Sequence, residues 1–422
     1  MFDYSRCSNR IILCVDLKSF YASCSCVLRG LDPLKVKLAV VGSTERPGSV
    51  VLAATPLLKK MGIKQGSRMY NIPKRKDILI VNPAMATYIK VSTLITNIVL
   101  QYVPAEDFHQ YSIDEMFIDV TQSIHLFAKS PGEMAARIIK DIYSRTGITA
   151  TVGIGPNLFL SKVALDQEAK KTRSGIARWT YNDVPKKLWK IHPLSEMWGI
   201  SSKTEKKLNA MGIYNVGQLA NHPVQQLKKK FGIIGEELYR HANGIDESRI
   251  SEPYKPASTS IGKSQILLRD YTDLHEIQMI VLEHIEEVCY RLRSQHKLAR
   301  TVQFSIGYSK DWGGGFSRSC TVHKATNLTM DLYHICMKLF KESYTGEPVR
   351  SVSVSLTNFQ EDGEIQLSLF DFDEQWEKKQ KLAFTMDEIR RKYGKNSILR
   401  AISYAPSSTA RHRNNLIGGH QA

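Results

Sequence analysis

The chain has no apolar run approaching the roughly 20 residues that a membrane-spanning helix needs, which weakens a membrane reading. It also lacks internal repeats and low-complexity tracts, which sets repeat architectures aside. Its opening stretch, MFDYSRCSNRIILCVDLKSF, mixes polar residues with a short apolar run from Ile11 to Val15 and does not read as a signal peptide. Paired cysteine spacing is missing too. The seven cysteines show no C-x-x-C motif, and Cys24 and Cys26 sit two apart on a predicted helix, facing different ways, which makes a poor zinc half-site. They read as buried free thiols of a reducing compartment, so a cytoplasmic protein is expected. Acidic charge is in deficit: 41 Asp and Glu face 58 Lys and Arg, leaving a formal charge of +17. Such a balance favours a polyanionic partner, nucleic acid first and an anionic membrane surface second.

What is present is ordinary globular composition, 422 residues with 42% hydrophobic and 23% charged, enough for two to four domains with cores of their own. IILCVD, residues 11–16, predicts a strand ending in an acid, and LKSFYASCSCVL after it has helical spacing. Further helix patterns cover 88–102 and 132–145, with strands around 112–120 and at ITATVGIG, so the first part predicts a layered α/β sheet. From about 192 to 246 short helices are punctuated by glycine, in WGISSKTEKKLNAMGI and KKKFGIIGEELYRHANGID, a shape that offers backbone N–H groups to phosphates. DESRISEPYKPAS is aperiodic and predicts a linker. Beyond it, strands and two helices predict an α+β domain ending near Phe359, followed by a polar, basic tail that reads as a partner-contacting appendage rather than core.

One stretch, YSIDEMFID, puts Asp114 and Glu115 side by side where a strand should form. A solvated turn is the ordinary setting for such a pair. A third acid, Asp16 at the end of the first strand, changes the reading, because three converging carboxylates repel one another unless cations neutralise them. Mg²⁺ is the usual solution, and two such ions clamp the attacking and leaving oxygens of a phosphoryl displacement.

CVDLKSFYAS, YSIDEMF and TVGIGPNLFLSKVALDQEAK, in this order and spacing, resemble the palm motifs of Y-family DNA polymerases, and Pro56, Lys59 and QLSLF resemble the UmuC-like branch, of the polymerase V catalytic-subunit type. The resemblance runs from about residue 11 to 370. It implies a right-hand polymerase: a ferredoxin-like palm (1–21 and 83–188), small fingers (22–82), a helix-hairpin-helix thumb (189–246), a linker (247–258), an α+β little finger (259–360) and a tail (361–422). It implies that Asp16 and Asp114 bridge two Mg²⁺ ions, that Glu115 holds the catalytic one, and that the Leu17 carbonyl also binds metal. Tyr21 matches the gate that excludes a 2′-hydroxyl, Lys170 the lysine that neutralises the triphosphate, and Lys59 a finger cation that lacks the fork of an arginine. Ser201 stands where the thumb hairpin more often has glycine, which puts close approach to phosphate in doubt.

Gln366, Leu367, Leu369 and Phe370 resemble the peptide that enters the pocket of the bacterial sliding clamp. Primer-template DNA and dNTP are the other implied partners; an accessory subunit or recombinase filament is left open, and no membrane is expected. Fingers of about 60 residues cover little of a nascent base pair, and the domains account for the chain without a proofreading exonuclease. Low-fidelity translesion synthesis in a damage response is therefore expected. The alternatives are a non-catalytic DNA- and clamp-binding scaffold, and a cyclase sharing a palm-like sheet.

Overall fold

The computed structural model describes residues 3–252, 256, 258–362 and 374–421. The chain divides into two compact units, Met1–Tyr254 with His420–Ala422, and Lys255–Gly419.

In the first unit, β1 (Ile12–Leu17) leads into α1 (Phe20–Val27), then a small lobe of β2 (Lys37–Val41), β3 (Val51–Ala54), α2 (Pro56–Lys60) and β4 (Ile78–Val81). The chain returns through α3 (Met85–Val99), β5 (Phe108–Gln110), β6 (Glu115–Asp119), α4 (Ile124–Phe127), α5 (Pro131–Thr146), β7 (Ala150–Gly155), α6 (Leu158–Gln167) and β8 (Ile176–Arg178). The central sheet has the order β5-β6-β1-β7-β8, with β1 antiparallel to both β6 and β7. Burial follows from that position. A central strand covered on both faces reads as a continuous apolar run, and Ile12 through Val15 are fully buried. The small lobe carries its own sheet, β3-β2-β4, built on Leu38 to Val41. α1 runs uninterrupted across residue 22, where the sequence places the start of the fingers.

Four helices complete the unit: α7 (Ser202–Asn209), α8 (Val216–Ala220), α9 (Val224–Phe231) and α10 (Ile233–Ala242). Their apolar faces join Phe159, Leu160 and Val163 of α6 in one core with Ile12, Cys14 and Phe117 of the sheet. Asp246 fastens this join, its Oδ2 accepting from the Phe159 amide at 3.0 Å at the start of α6. Ser201 proves to be the N-cap of α7: its backbone is extended (φ −81, ψ 161) and its hydroxyl accepts from the Thr204 amide at 3.2 Å. A residue in that conformation has room for a Cβ, and serine is among the best N-caps.

The second unit is a four-stranded antiparallel sheet, order β11-β10-β12-β9, made of β9 (Ile261–Tyr271), β10 (Lys297–Tyr308), β11 (Gly315–Thr326) and β12 (Val349–Glu361). α11 (Leu274–Arg293) and α12 (Thr329–Ser343) pack on it through Ile277, Ile280, Leu332 and Phe340. The reading of 361–422 as an appendage is corrected for residues 374–419. Here α13 (Glu374–Tyr393) and the segment after it close onto α11. Arg293 donates to Asp387 at 2.6 Å, Arg390 to Glu286 at 2.9 Å, and Thr409 to Glu283 at 2.9 Å. The innermost face of α13 is ionic, so hydrophobic periodicity does not announce it. Gln366, Leu367, Leu369 and Phe370 fall outside the described residues.

Truncating one member of a buried pair strands the other charge. Arg293→Ala is expected to cost about 3 kcal/mol or more, read as lost stability in urea and faster amide exchange along α13. A paired Arg293→Met, Asp387→Leu change should recover most of that loss. Unchanged exchange in the single variant would show that the pair does not hold the segment.

Candidate active site

The site grows from the register of β1 and β6. Asp16 pairs with Glu115 across the antiparallel ladder, which puts both side chains on the face covered by α6. Asp114 lies just before β6, in a turn where the Ser112 hydroxyl donates to its Oδ1 at 2.8 Å, and its carbonyl accepts from the Leu17 amide at 2.8 Å. The acid pair thus serves both of the readings open to it in sequence: one member in a turn, the other first in a strand.

Helix α6 and the turn after it supply the countercharge. Lys162, Asp166 and Lys170 recur at intervals of four, so they share a side. Lys162 Nζ reaches Glu115 Oε1 at 2.6 Å, Lys170 Nζ reaches Asp16 Oδ2 at 3.1 Å, and Asp166 bridges the two lysines at 3.1 and 2.8 Å. Cys14 donates its thiol to Glu115 Oε1 at 3.2 Å. Burial pushes the Asp16 carboxyl above the usual carboxylate range; Lys170 opposes this, while Glu115 and Asp114 add to it. Both neighbouring acids therefore act on Asp16. Burial opposes the charge of Lys170, yet Asp16 and Asp166 outweigh it and raise its pKa. Lys162 is raised in the same way, with Glu115 overcoming burial.

Close packing makes this geometry possible. A Cβ on Gly153 of β7 would run into the Ser161 carbonyl oxygen and the Leu165 amide, and one on Gly155 into the Ser161 amide. Glycine at both places lets α6 lie directly on the sheet, which brings Lys162 to Glu115.

The remaining expected residues fall as follows. Lys59, in the last turn of α2, has an exposed side chain, but the protein around its ammonium draws its pKa below the usual range, against the pull of Asp16. Asp114 also favours its charge, while Lys170 and Lys18 oppose it. Tyr21 sits in the first turn of α1, where burial and then the Asp114 carboxylate raise its hydroxyl pKa. Sequence reasoning misses Lys162, Asp166 and Cys14. The four-residue spacing of SKVALDQEAK is the available signal for the first two, and nothing local marks Cys14.

Among the described residues no three acidic, histidine or cysteine side chains stand at ligand spacing, because Glu115 and Asp16 turn to lysines. The donor chemistry still suits a hard divalent cation: three carboxylates and the Leu17 carbonyl, all oxygen, on backbone positions that are neighbours in the sheet.

Fold and site together define a palm-type polymerase, with acids on a central sheet, a small lobe that carries Lys59, and a helical thumb. Residues 15–166 match the model of the impB/mucB/samB family, 181–213 its HHH motif, and 258–369 its C-terminal domain. The chain is 54% identical to a Bacillus subtilis protein named for UV-damage repair, UvrX, over all of both chains. It is 38% identical to DNA polymerase IV 2 of the same organism, covering 98% of this chain and 99% of that one. It therefore belongs to the impB/mucB/samB family and is a Y-family DNA polymerase. The fold also matches a solved Y-family polymerase chimera of Dbh and Dpo4 (TM-score 0.66, 20% identity), over 82% of this chain and 98% of that one. Enzymes of this family use divalent metals, and no helix among the described residues is long and apolar enough to cross a membrane.

Gly153→Ala is expected to lift α6 from the sheet, costing about 3 kcal/mol and weakening extension, as checked by denaturation and primer-extension assays. Wild-type stability in this variant would contradict the packing described.

Proposed function

We propose that this polymerase carries out low-fidelity, template-directed translesion synthesis, adding dNTPs to a primer with Asp16, Asp114, Glu115 and the Leu17 carbonyl holding two Mg²⁺ ions. The observation that carries this reading is the Asp16–Glu115 register, with Asp114 joined to Leu17 beside it. When bound, the ions would assist the 3′-hydroxyl and neutralise charge on the triphosphate. The protein's own groups do the rest. Lys59 and Lys170 bind the triphosphate from two sides, Lys170 exchanging its contact with Asp16 for phosphate oxygen. Lys162 pairs with Glu115 and holds its carboxylate in place, and Tyr21 bars a 2′-hydroxyl by overlap.

Translesion use is supported by the slightness of the lobe facing the nascent pair, one three-stranded sheet and the five-residue α2. A repair role is supported by the name of the UvrX relative. Gln366 to Phe370 are proposed to engage the sliding clamp as a weak tether. The positions flanking that peptide are held: Gln380 of α13 donates to Asp362 Oδ1 at 3.1 Å, and the Asp362 amide donates to the His296 carbonyl at 2.8 Å. A cytoplasmic location accords with seven unpaired cysteines.

Loss of one metal-holding carboxylate removes several kcal/mol of transition-state stabilisation, about a thousandfold in rate. Asp114→Ala or Glu115→Ala should lose extension to that degree while still binding primer-template by fluorescence anisotropy. Normal extension in either variant would refute the metal-holding role given to that carboxylate. Extension past an abasic site, with and without the clamp, tests the finer claim: bypass stimulated by the clamp is expected, and a full stop at the lesion would refute translesion use.

A further inference from the structure

Tyr21 does not stand alone. Its ring lies nearly parallel to that of Tyr88 on α3, with centroids 4.7 Å apart and planes 14° apart. Tyr88 is fully buried, and its hydroxyl shares a 2.6 Å hydrogen bond with the hydroxyl of Ser25, also buried. Ser25 sits one turn beyond Tyr21 on α1, so that helix carries both the gate ring and the group that locks the ring behind it. Phe20 meets Tyr88 edge-on at 6.4 Å, fixing it from a third direction. α1 itself starts from Ser19, whose backbone is left-handed (φ 50, ψ 45), so the turn that delivers Tyr21 is a specific conformation rather than a pliable one.

We propose that Tyr88, locked by Ser25, is a specificity-determining residue for sugar selection: it is the wall against which the Tyr21 gate stands. This rests on reading Tyr21 as the gate. Exclusion by overlap is a repulsion, and a repulsive contact discriminates only as well as the atoms behind it resist displacement. Solvent or a loose aliphatic side chain behind Tyr21 would let its ring retreat from a 2′-hydroxyl at small cost. A stacked, hydrogen-bonded tyrosine in a close-packed core does not yield in that way. Tyr88 needs no contact with the nucleotide to set the selectivity. It acts through Tyr21, as a positioning residue.

Single-nucleotide insertion of matched dNTP and rNTP by the full chain tests this, comparing wild type with Tyr21→Ala, Tyr88→Leu, Tyr88→Phe and Ser25→Ala. Tyr88→Leu should raise the rNTP-to-dNTP ratio of kcat/KM by about tenfold, the low end of what a small change in an apolar pocket delivers. Insertion of dNTP should stay within about threefold, judged against the same scale. Tyr88→Phe keeps the stack and loses only the hydroxyl, so it and Ser25→Ala should raise the ratio by about two- to threefold; they decide the matter should Tyr88→Leu fail to fold. A merely structural role would lower insertion of both sugars together and leave the ratio where it was. A ratio relaxed by Tyr21→Ala but by none of the Tyr88 and Ser25 variants overturns the inference. An unchanged ratio in Tyr21→Ala overturns the gate reading itself, and this inference with it.

Discussion

Everything in the catalytic unit depends on keeping acids charged inside a sheet. Glu115 is buried and Asp16 partly so, and isolated carboxylates in such places would take up protons or unfold their surroundings. The answer is one side of α6 and the turn after it. Lys162 and Lys170, spaced by Asp166, meet Glu115 and Asp16 in turn, so one short segment supplies the countercharge to acids on two strands. The two lysines differ in exposure: Lys162 is buried against Glu115, whereas Lys170 stays partly open beside Asp16.

The rest of the unit holds that helix in place. Glycines in β7 bring α6 against the sheet, and the thumb helices enclose its other side in the same apolar core as Phe159 and Leu160. Asp246 caps its start and so ties the end of the thumb to the element that bears the countercharge. Packing of the thumb is thus part of the electrostatics of the palm. On the opposite side, α1 and α3 share the stack of Tyr21 on Tyr88, joining the entry of the small lobe to the floor of the site.

Much of this is legible in the sequence. IILCVD is β1 almost residue for residue, the helix expected over 132–145 spans Pro131–Thr146, and ITATVGIG contains β7, because strong periodicity and clear end signals coincide there. In the register Asp16 stands opposite Glu115, and Asp114 is tied to β1 only through its carbonyl, which accepts from the Leu17 amide. Other features depend on partners far along the chain. The pairing of Lys162 with Glu115 has no local signature on the strand side. α13 escapes such a reading because the positions it buries most deeply are Asp387 and Arg390, which a hydropathy pattern scores as solvent-facing. Their partners, Arg293 and Glu286, lie 94 and 104 residues earlier in the chain, beyond the reach of any local pattern.

The central claim is that Asp16 and the distant pair Asp114 and Glu115 share divalent ions. The most direct measurement counts bound Mn²⁺ by electron paramagnetic resonance in the complex with a dideoxy-terminated primer-template and the next dNTP. The account predicts two ions per complex in the wild type and loss of at least one in Asp16→Ala. Two ions retained in Asp16→Ala and Asp114→Ala alike would contradict it.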